Sequence, residues 1–146
     1  MKKVLGVSLI VMALVIGIVP LFTDCQSQGK AMVLQNGMTA PMKCYWTAIA
    51  EIGIAIPLGL VGLANLLSRR KESSAGMGVV GLSLGALAVA FPTALIGVCA
   101  NPMMLCNMVM RPTLMLSGII AMAASAGLIV MSLRARQALS IQGAAA

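Results

Sequence analysis

Four cysteines and a group of methionines carry most of the chemistry this chain could perform. Cys25, Cys44, Cys99 and Cys106 each lie where a long apolar run ends or begins. Met32, Met38, Met42, Met103, Met104, Met108 and Met110 crowd the same two intervals, seven of the 13 methionines. Thiols so placed have three uses. Paired, they staple loops; free, they exchange with other disulfides; ionised, they ligate soft metals. Stapling is the leading expectation, with pairs Cys25–Cys44 and Cys99–Cys106, because each pair joins the two ends of one interval. Closing such loops stabilises a fold by roughly 3 kcal/mol each. For a metal, Cys44, Cys99 and Cys106 with Met42, Met103 and Met104 form a thiolate and thioether set suited to Cu(I). The C-x-x-C spacing that commonly lowers a thiol pKa is missing, which weakens the exchange reading.

Glu51 is the only acid within an apolar run. It lies seven residues past Cys44, about 10 Å deeper along a helix and on nearly the same face. A carboxyl at that depth is costly and marks a functional-site candidate, with Thr47 and Arg111 as expected partners. The plainer reading is a carboxyl that ties two helices together by hydrogen bonding. Arg111 precedes Pro112, a residue suited to a first helical turn. It serves as an interfacial anchor, or it binds an anionic ligand or pairs with Glu51 or Asp24. Tyr45 and Trp46 fall where an aromatic belt is expected.

Four elements must position these residues. Apolar runs at about 4–22, 46–67, 77–98 and 114–133 each approach the roughly 20 residues that cross about 30 Å of hydrocarbon. Hydrophobic residues make up 60% of the 146 and charged residues 9%. A soluble domain of this size could not bury that much apolar surface, whereas a bilayer covers it. The expectation is an all-α membrane protein, one four-helix domain over residues 1–146. The first run is read as an uncleaved helix. It is longer than a signal-peptide core, and Phe22 and Asp24 fit a lipoprotein cleavage site poorly.

Charge sets the expected orientation. With the N-terminus inside, Lys2, Lys3, Arg69, Arg70, Lys71, Arg134 and Arg136 face the cytoplasm, and Lys30, Lys43 and Arg111 remain outside. That bias follows the positive-inside rule and gives both termini in the cytoplasm of a bacterial or archaeal cytoplasmic membrane. A weak repeat runs through the chain: Pro20, Cys25, Pro41-Met42 and Cys44, then Pro92, Cys99, Pro102-Met103 and Cys106. Two duplicated hairpins would account for it. Gly81 with Gly85, Ser117 with Ala121, and Ala123 with Gly127 are small-xxx-small pairs that suit close helix approach. Pro57 and Pro92 are expected to kink their helices.

The net charge of +7 sits in clusters at the ends of apolar runs, with few aromatics for stacking, so nucleic-acid binding is excluded. The absence of histidine excludes His-ligated haem, His-based zinc sites and Ser-His-Asp catalysis. No glycine-rich phosphate loop is present. These absences favour a protein without enzymatic machinery of its own and without a cofactor, Cu(I) or a quinone being the exceptions worth testing.

The segments Pro41-Met42-Lys43-Cys44-Tyr45-Trp46-Thr47-Ala48 and Phe91-Pro92-Thr93, with Gly97-Val98-Cys99 and Pro102-Met103-Met104-Leu105-Cys106, resemble a family of small prokaryotic four-helix membrane proteins catalogued as a domain of unknown function. Its members look as though they accompany a transporter pair of an ATPase and a large permease. The resemblance therefore implies an accessory subunit bound to a membrane partner or to further copies of itself. In gross plan the chain is also similar to quinone-coupled disulfide-forming enzymes, such as the bacterial disulfide-bond protein B and vitamin K epoxide reductase, which place outward cysteines on a four-helix core. The leading expectation is a non-enzymatic subunit with disulfide-stapled loops. The alternatives are a Cys/Met site for thiol redox or Cu(I), and a small oligomeric pore or carrier.

Overall fold

Long apolar segments with few charges have one low-energy backbone solution in lipid, a helix that satisfies its own hydrogen bonds. The computed structural model, described over residues 2–68 and 73–144, follows that rule. Four helices form: α1 (Lys2–Thr23), α2 (Lys43–Leu67), α3 (Ser73–Ala90) and α4 (Arg111–Ala144). All four are long and apolar enough to cross a membrane, the mark of a multi-pass membrane protein. Arg69, Arg70 and Lys71, and the side chains of Lys2 and Arg136, which the charge argument used, lie outside the described residues.

The helices pack in a ring. α1 lies against α2 and α4, and α3 lies against α2 and α4, so the chain runs as two adjacent hairpins. Glycines set the closest approaches. Gly6 on α1 meets Gly62 on α2, and a side chain at Gly62 would collide with Ile10 and with the Gly6 carbonyl. Gly85 on α3 meets Gly118 on α4 in the same way. Such contacts bring backbones close enough for dispersion and Cα–H···O attraction, the main sources of helix association in lipid. Between the helices Leu9, Ile16, Leu58, Leu114 and Leu128 are fully buried, while the outer faces carry exposed Val, Leu and Ile. That inside-out pattern is what a bilayer-covered bundle requires.

Three boundaries differ from expectation, each for a local reason. The third helix was expected to reach residue 98, but it widens at Phe91–Leu95 and stops at Gly97. Pro92 has no N–H to give the preceding turn, and the carbonyl of Phe91 instead accepts from both Ile96 and Gly97. Gly97, at φ 78°, then turns the chain out of the helix. A second widened turn, Cys106–Met110, runs straight into α4. Here the missing donor is that of Pro112, and the N–H of Arg111 reaches back five residues to the Cys106 carbonyl. At its other end α4 continues to Ala144, past the expected limit near 133, because Leu, Ala, Arg and Gln there are good helix formers.

The loop between α1 and α2 holds an unexpected element. Strands β1 (Met32–Val33) and β2 (Thr39–Ala40) pair antiparallel, Met32 opposite Ala40 and Val33 opposite Thr39. Asn36-Gly37 supplies the turn, with Gly37 at φ 78°, a conformation that glycine adopts without penalty.

Candidate metal–thiol site

Each of the four cysteines belongs to a different helix end, and the bundle brings those ends together. Cys25 follows α1 in a tight turn. There Asp24 Oδ1 accepts the Ser27 N–H at 3.0 Å, the Ser27 hydroxyl donates to the Asp24 carbonyl at 2.8 Å, and the Cys25 carbonyl accepts the Lys30 N–H at 2.9 Å. Cys44 is the second residue of α2. Cys99 sits two residues beyond the Gly97 turn, and Cys106 opens the widened turn before α4.

Their four sulfurs lie within 4.8 Å of one another. Cys99 Sγ is 3.3 Å from Cys44 Sγ and 3.4 Å from Cys25 Sγ, and Cys25 Sγ is 3.6 Å from Cys106 Sγ. Cys25, Cys44 and Cys106 are buried, and Cys99 is half-buried. Two thioethers flank the group: Met42 Sδ lies 3.9 Å from Cys99 Sγ, and Met104 Sδ lies 4.0 Å from Cys25 Sγ. Met103 is 81% exposed.

The expected disulfides are not formed: all four cysteines are free thiols. The four thiols form one group rather than two separate hairpin pairs, and the three sulfur–sulfur hydrogen bonds at 3.3–3.6 Å all join one hairpin to the other. Nearness along the chain suggested Cys25–Cys44 and Cys99–Cys106, but ring packing makes the end of α1 a neighbour of both the third and the fourth helix ends. The structure thus adds Cys25 to the three cysteines expected to bind metal.

Electrostatics divide the thiols. Burial pushes the Cys25 thiol well above its ordinary range, and its thiol neighbours add to that. For Cys99 burial works in the same direction, but hydrogen bonding with Cys44 and Cys25 outweighs it, and its pKa is lowered. Cys99 is thus shifted toward ionisation, and it is the one of the four that solvent reaches.

Thr47 is held otherwise than expected. Its hydroxyl donates to the Gly97 carbonyl at 2.7 Å and makes no bond to Glu51. That bond ties α2 to the loop carrying Cys99. If the four sulfurs hold a metal, Thr47→Val, which frees the loop carrying Cys99, should leave the bundle intact and weaken binding by roughly 10-fold, the low end for loss of a supporting hydrogen bond. A competition titration against a coloured chelator measures the change.

Glu51 is fully buried, and neither carboxyl oxygen has a hydrogen-bond partner among the described residues. Arg111 is exposed, and Asp24 is bonded to Ser27, so neither expected pairing of Arg111 is formed. The carboxyl does not act as a hydrogen-bonded tie between helices. Asn65, on nearly the same face of α2, is also buried and has no partner among the described residues at either side-chain polar atom. The sequence reading passed over it, although a lone amide in an apolar run is the available signal. Glu51→Met should stabilise the protein by about 1–3 kcal/mol, the usual cost of an unpaired buried polar group. Thermal unfolding in detergent measures the gain.

A helical bundle of membrane-spanning type with four converging thiols at one end defines the class. The chain belongs to the family described as Domain of unknown function (DUF4418), whose model matches residues 4–131. No curated protein matches the chain, and no solved structure does.

Proposed function

We propose that this protein is a membrane-embedded soft-metal site, holding one Zn(II) or Cu(I) ion among Cys25, Cys44, Cys99 and Cys106. One observation carries the reading: four sulfurs from four helix ends lie within 4.8 Å of one another. A metal at 2.3 Å from four sulfurs in a tetrahedron sets them about 3.8 Å apart, close to the 3.3–3.6 Å of the three contacts. Stapling needs only two separate pairs and gives no reason for a single group of four. Thiolates select soft ions, and the thioethers of Met42 and Met104 extend the same preference.

Charge supports the reading too. Four thiolates around one such ion leave a net charge of −2 or −3. Lys43 directly precedes Cys44, and the backbone N–H groups of Lys30 and Arg111 donate to the carbonyls of Cys25 and Cys106. The three cations that run against the positive-inside bias are thus the three whose backbones adjoin cluster cysteines. This end of the bundle is the outer one in our reading, with both termini in the cytoplasm of a prokaryotic cell membrane. A C-terminal reporter that is active only in cytoplasm tests that orientation.

The direct test is metal analysis of the reduced, detergent-solubilised protein. Loading should reach one ion per chain, and Co(II) in its place should give the intense visible bands of a tetrahedral thiolate site. Fully reduced protein that retains no Zn(II) or Cu(I) after gel filtration would end the proposal. An accessory role beside a transporter is a separate proposal supported by the family resemblance alone. Co-purification with an ATPase–permease pair tests it.

A further inference from the structure

The sulfur contacts also determine what oxidation of this cluster would produce. Three pairs make sulfur–sulfur hydrogen bonds at 3.3–3.6 Å within a group whose four sulfurs all lie within 4.8 Å of one another: Cys44 with Cys99, Cys25 with Cys99, and Cys25 with Cys106. Only one choice among them uses all four thiols. If Cys25 bonds to Cys99, then Cys44 and Cys106 are left, a pair that makes none of these three contacts. If Cys44 bonds to Cys99, then Cys25 and Cys106 remain in contact at 3.6 Å. We propose that the cluster is a four-electron thiol–disulfide site whose oxidised form carries Cys44–Cys99 and Cys25–Cys106, and that this form and the metal-bound form exclude each other.

The chemistry balances with a small-molecule disulfide such as oxidised glutathione as the oxidant. One cluster thiolate attacks a sulfur of that disulfide, forming a mixed disulfide and expelling one thiolate. The touching cluster thiol then displaces the second, so two cysteines lose two electrons and the oxidant becomes two thiols. A second equivalent oxidises the other pair. Starting from the Zn(II) form, two disulfide molecules and four protons give two protein disulfides, four small thiols and a free Zn(II) ion. Solvent reaches the half-buried Cys99, while the other three are buried, so Cys99 is the point of attack.

Both bonds would cross between the hairpins. Cys44–Cys99 joins the head of α2 to the loop after α3, and Cys25–Cys106 joins the end of α1 to the turn before α4. Oxidation would therefore lock the two halves of the bundle together without closing either hairpin on itself. The second half of the proposal, exclusion between metal and disulfide, rests on the metal reading; the pairing does not.

The experiment treats the full-length, metal-free protein in detergent with oxidised glutathione, digests it without reduction and maps the linked peptides by mass. Cys44–Cys99 and Cys25–Cys106 are expected. In Cys99→Ser, which lacks the exposed point of attack, Cys25–Cys106 is the pair left in contact and should form far more slowly, and in Cys106→Ser, Cys99 should pair with either Cys44 or Cys25. Recovery of Cys25–Cys44 with Cys99–Cys106, or of four unreacted thiols, would overturn the pairing. A parallel sample loaded with Zn(II) should oxidise at least about tenfold more slowly, releasing the ion as the disulfides form. Oxidised protein that still holds a full equivalent of Zn(II) would overturn the exclusion. Cross-hairpin pairing in a protein that binds no Zn(II) or Cu(I) when reduced would sink the metal reading and leave the pairing standing.

Discussion

Cys106→Ser should weaken Zn(II) binding on the order of a hundredfold or more. Structural thiolate sites are worth roughly 10–16 kcal/mol, so one ligand in four carries about 3 kcal/mol, and each 1.4 kcal/mol is tenfold. A serine hydroxyl is neutral at working pH and too hard an oxygen to replace a thiolate. Cys106 is the cleanest position for the test because it is fully buried, so its loss removes a ligand rather than a surface group. The effect should appear as loss of stoichiometric retention on gel filtration and as loss of the Co(II) bands. Met42→Leu keeps volume and apolar character and should change Zn(II) affinity little. A measurable loss of Cu(I) affinity in that variant, with Zn(II) unaffected, would identify the thioether as a ligand to the softer ion. If Cys106→Ser binds Zn(II) as tightly as the parent, the four sulfurs are not a tetrahedral site.

Gly118→Ala should destabilise the bundle by about 1–3 kcal/mol, and Gly118→Leu by more, through overpacking of the α3–α4 crossing. A Cβ at Gly118 would stand 2.7 Å from Val89 Cγ2, 3.0 Å from the Gly85 carbonyl and 3.3 Å from the Val89 nitrogen. Two of those three atoms are backbone, so the helices themselves must separate. Gly53 supplies the contrast. Nothing lies within 4 Å of a Cβ there, and Gly53→Ala should raise stability by about 0.5–1 kcal/mol through helix propensity alone. Unfolding of both variants in mixed detergent micelles measures the difference. Equal effects at the two positions would mean that the close approach is not what holds α3 to α4.

Much of the architecture was legible because its cause is local. Length and hydropathy alone marked four spans, and Pro92 and Gly97 were present to explain why the third stops early. Helix-facing small residues were legible in part: Gly81 and Gly85 lie on the α3–α4 crossing as their spacing suggested. Gly118, Gly6 and Gly62 were not marked, because a glycine's partner is on another helix and no spacing within one helix reveals it. The site divides in the same way. The four cysteines could be assigned to helix ends from sequence, and Met42 and Met104 to their neighbourhood. Which end meets which depends on the ring order of the helices, a property of tertiary packing, and the within-hairpin disulfides were inferred without it. Glu51 was visible as a charge in an apolar run, whereas its lack of any partner required the packed bundle.

The distribution of the thiols over four helix ends bears on how the protein is made. During synthesis the first hairpin supplies Cys25 and Cys44, and the remaining two thiols arrive only with the second. A ribosome that has delivered three helices has produced Cys99 but not Cys106. No tetrathiolate exists until the last span is inserted beside the first. On the proposed metal reading, the complete ligand set becomes available only with the final act of assembly.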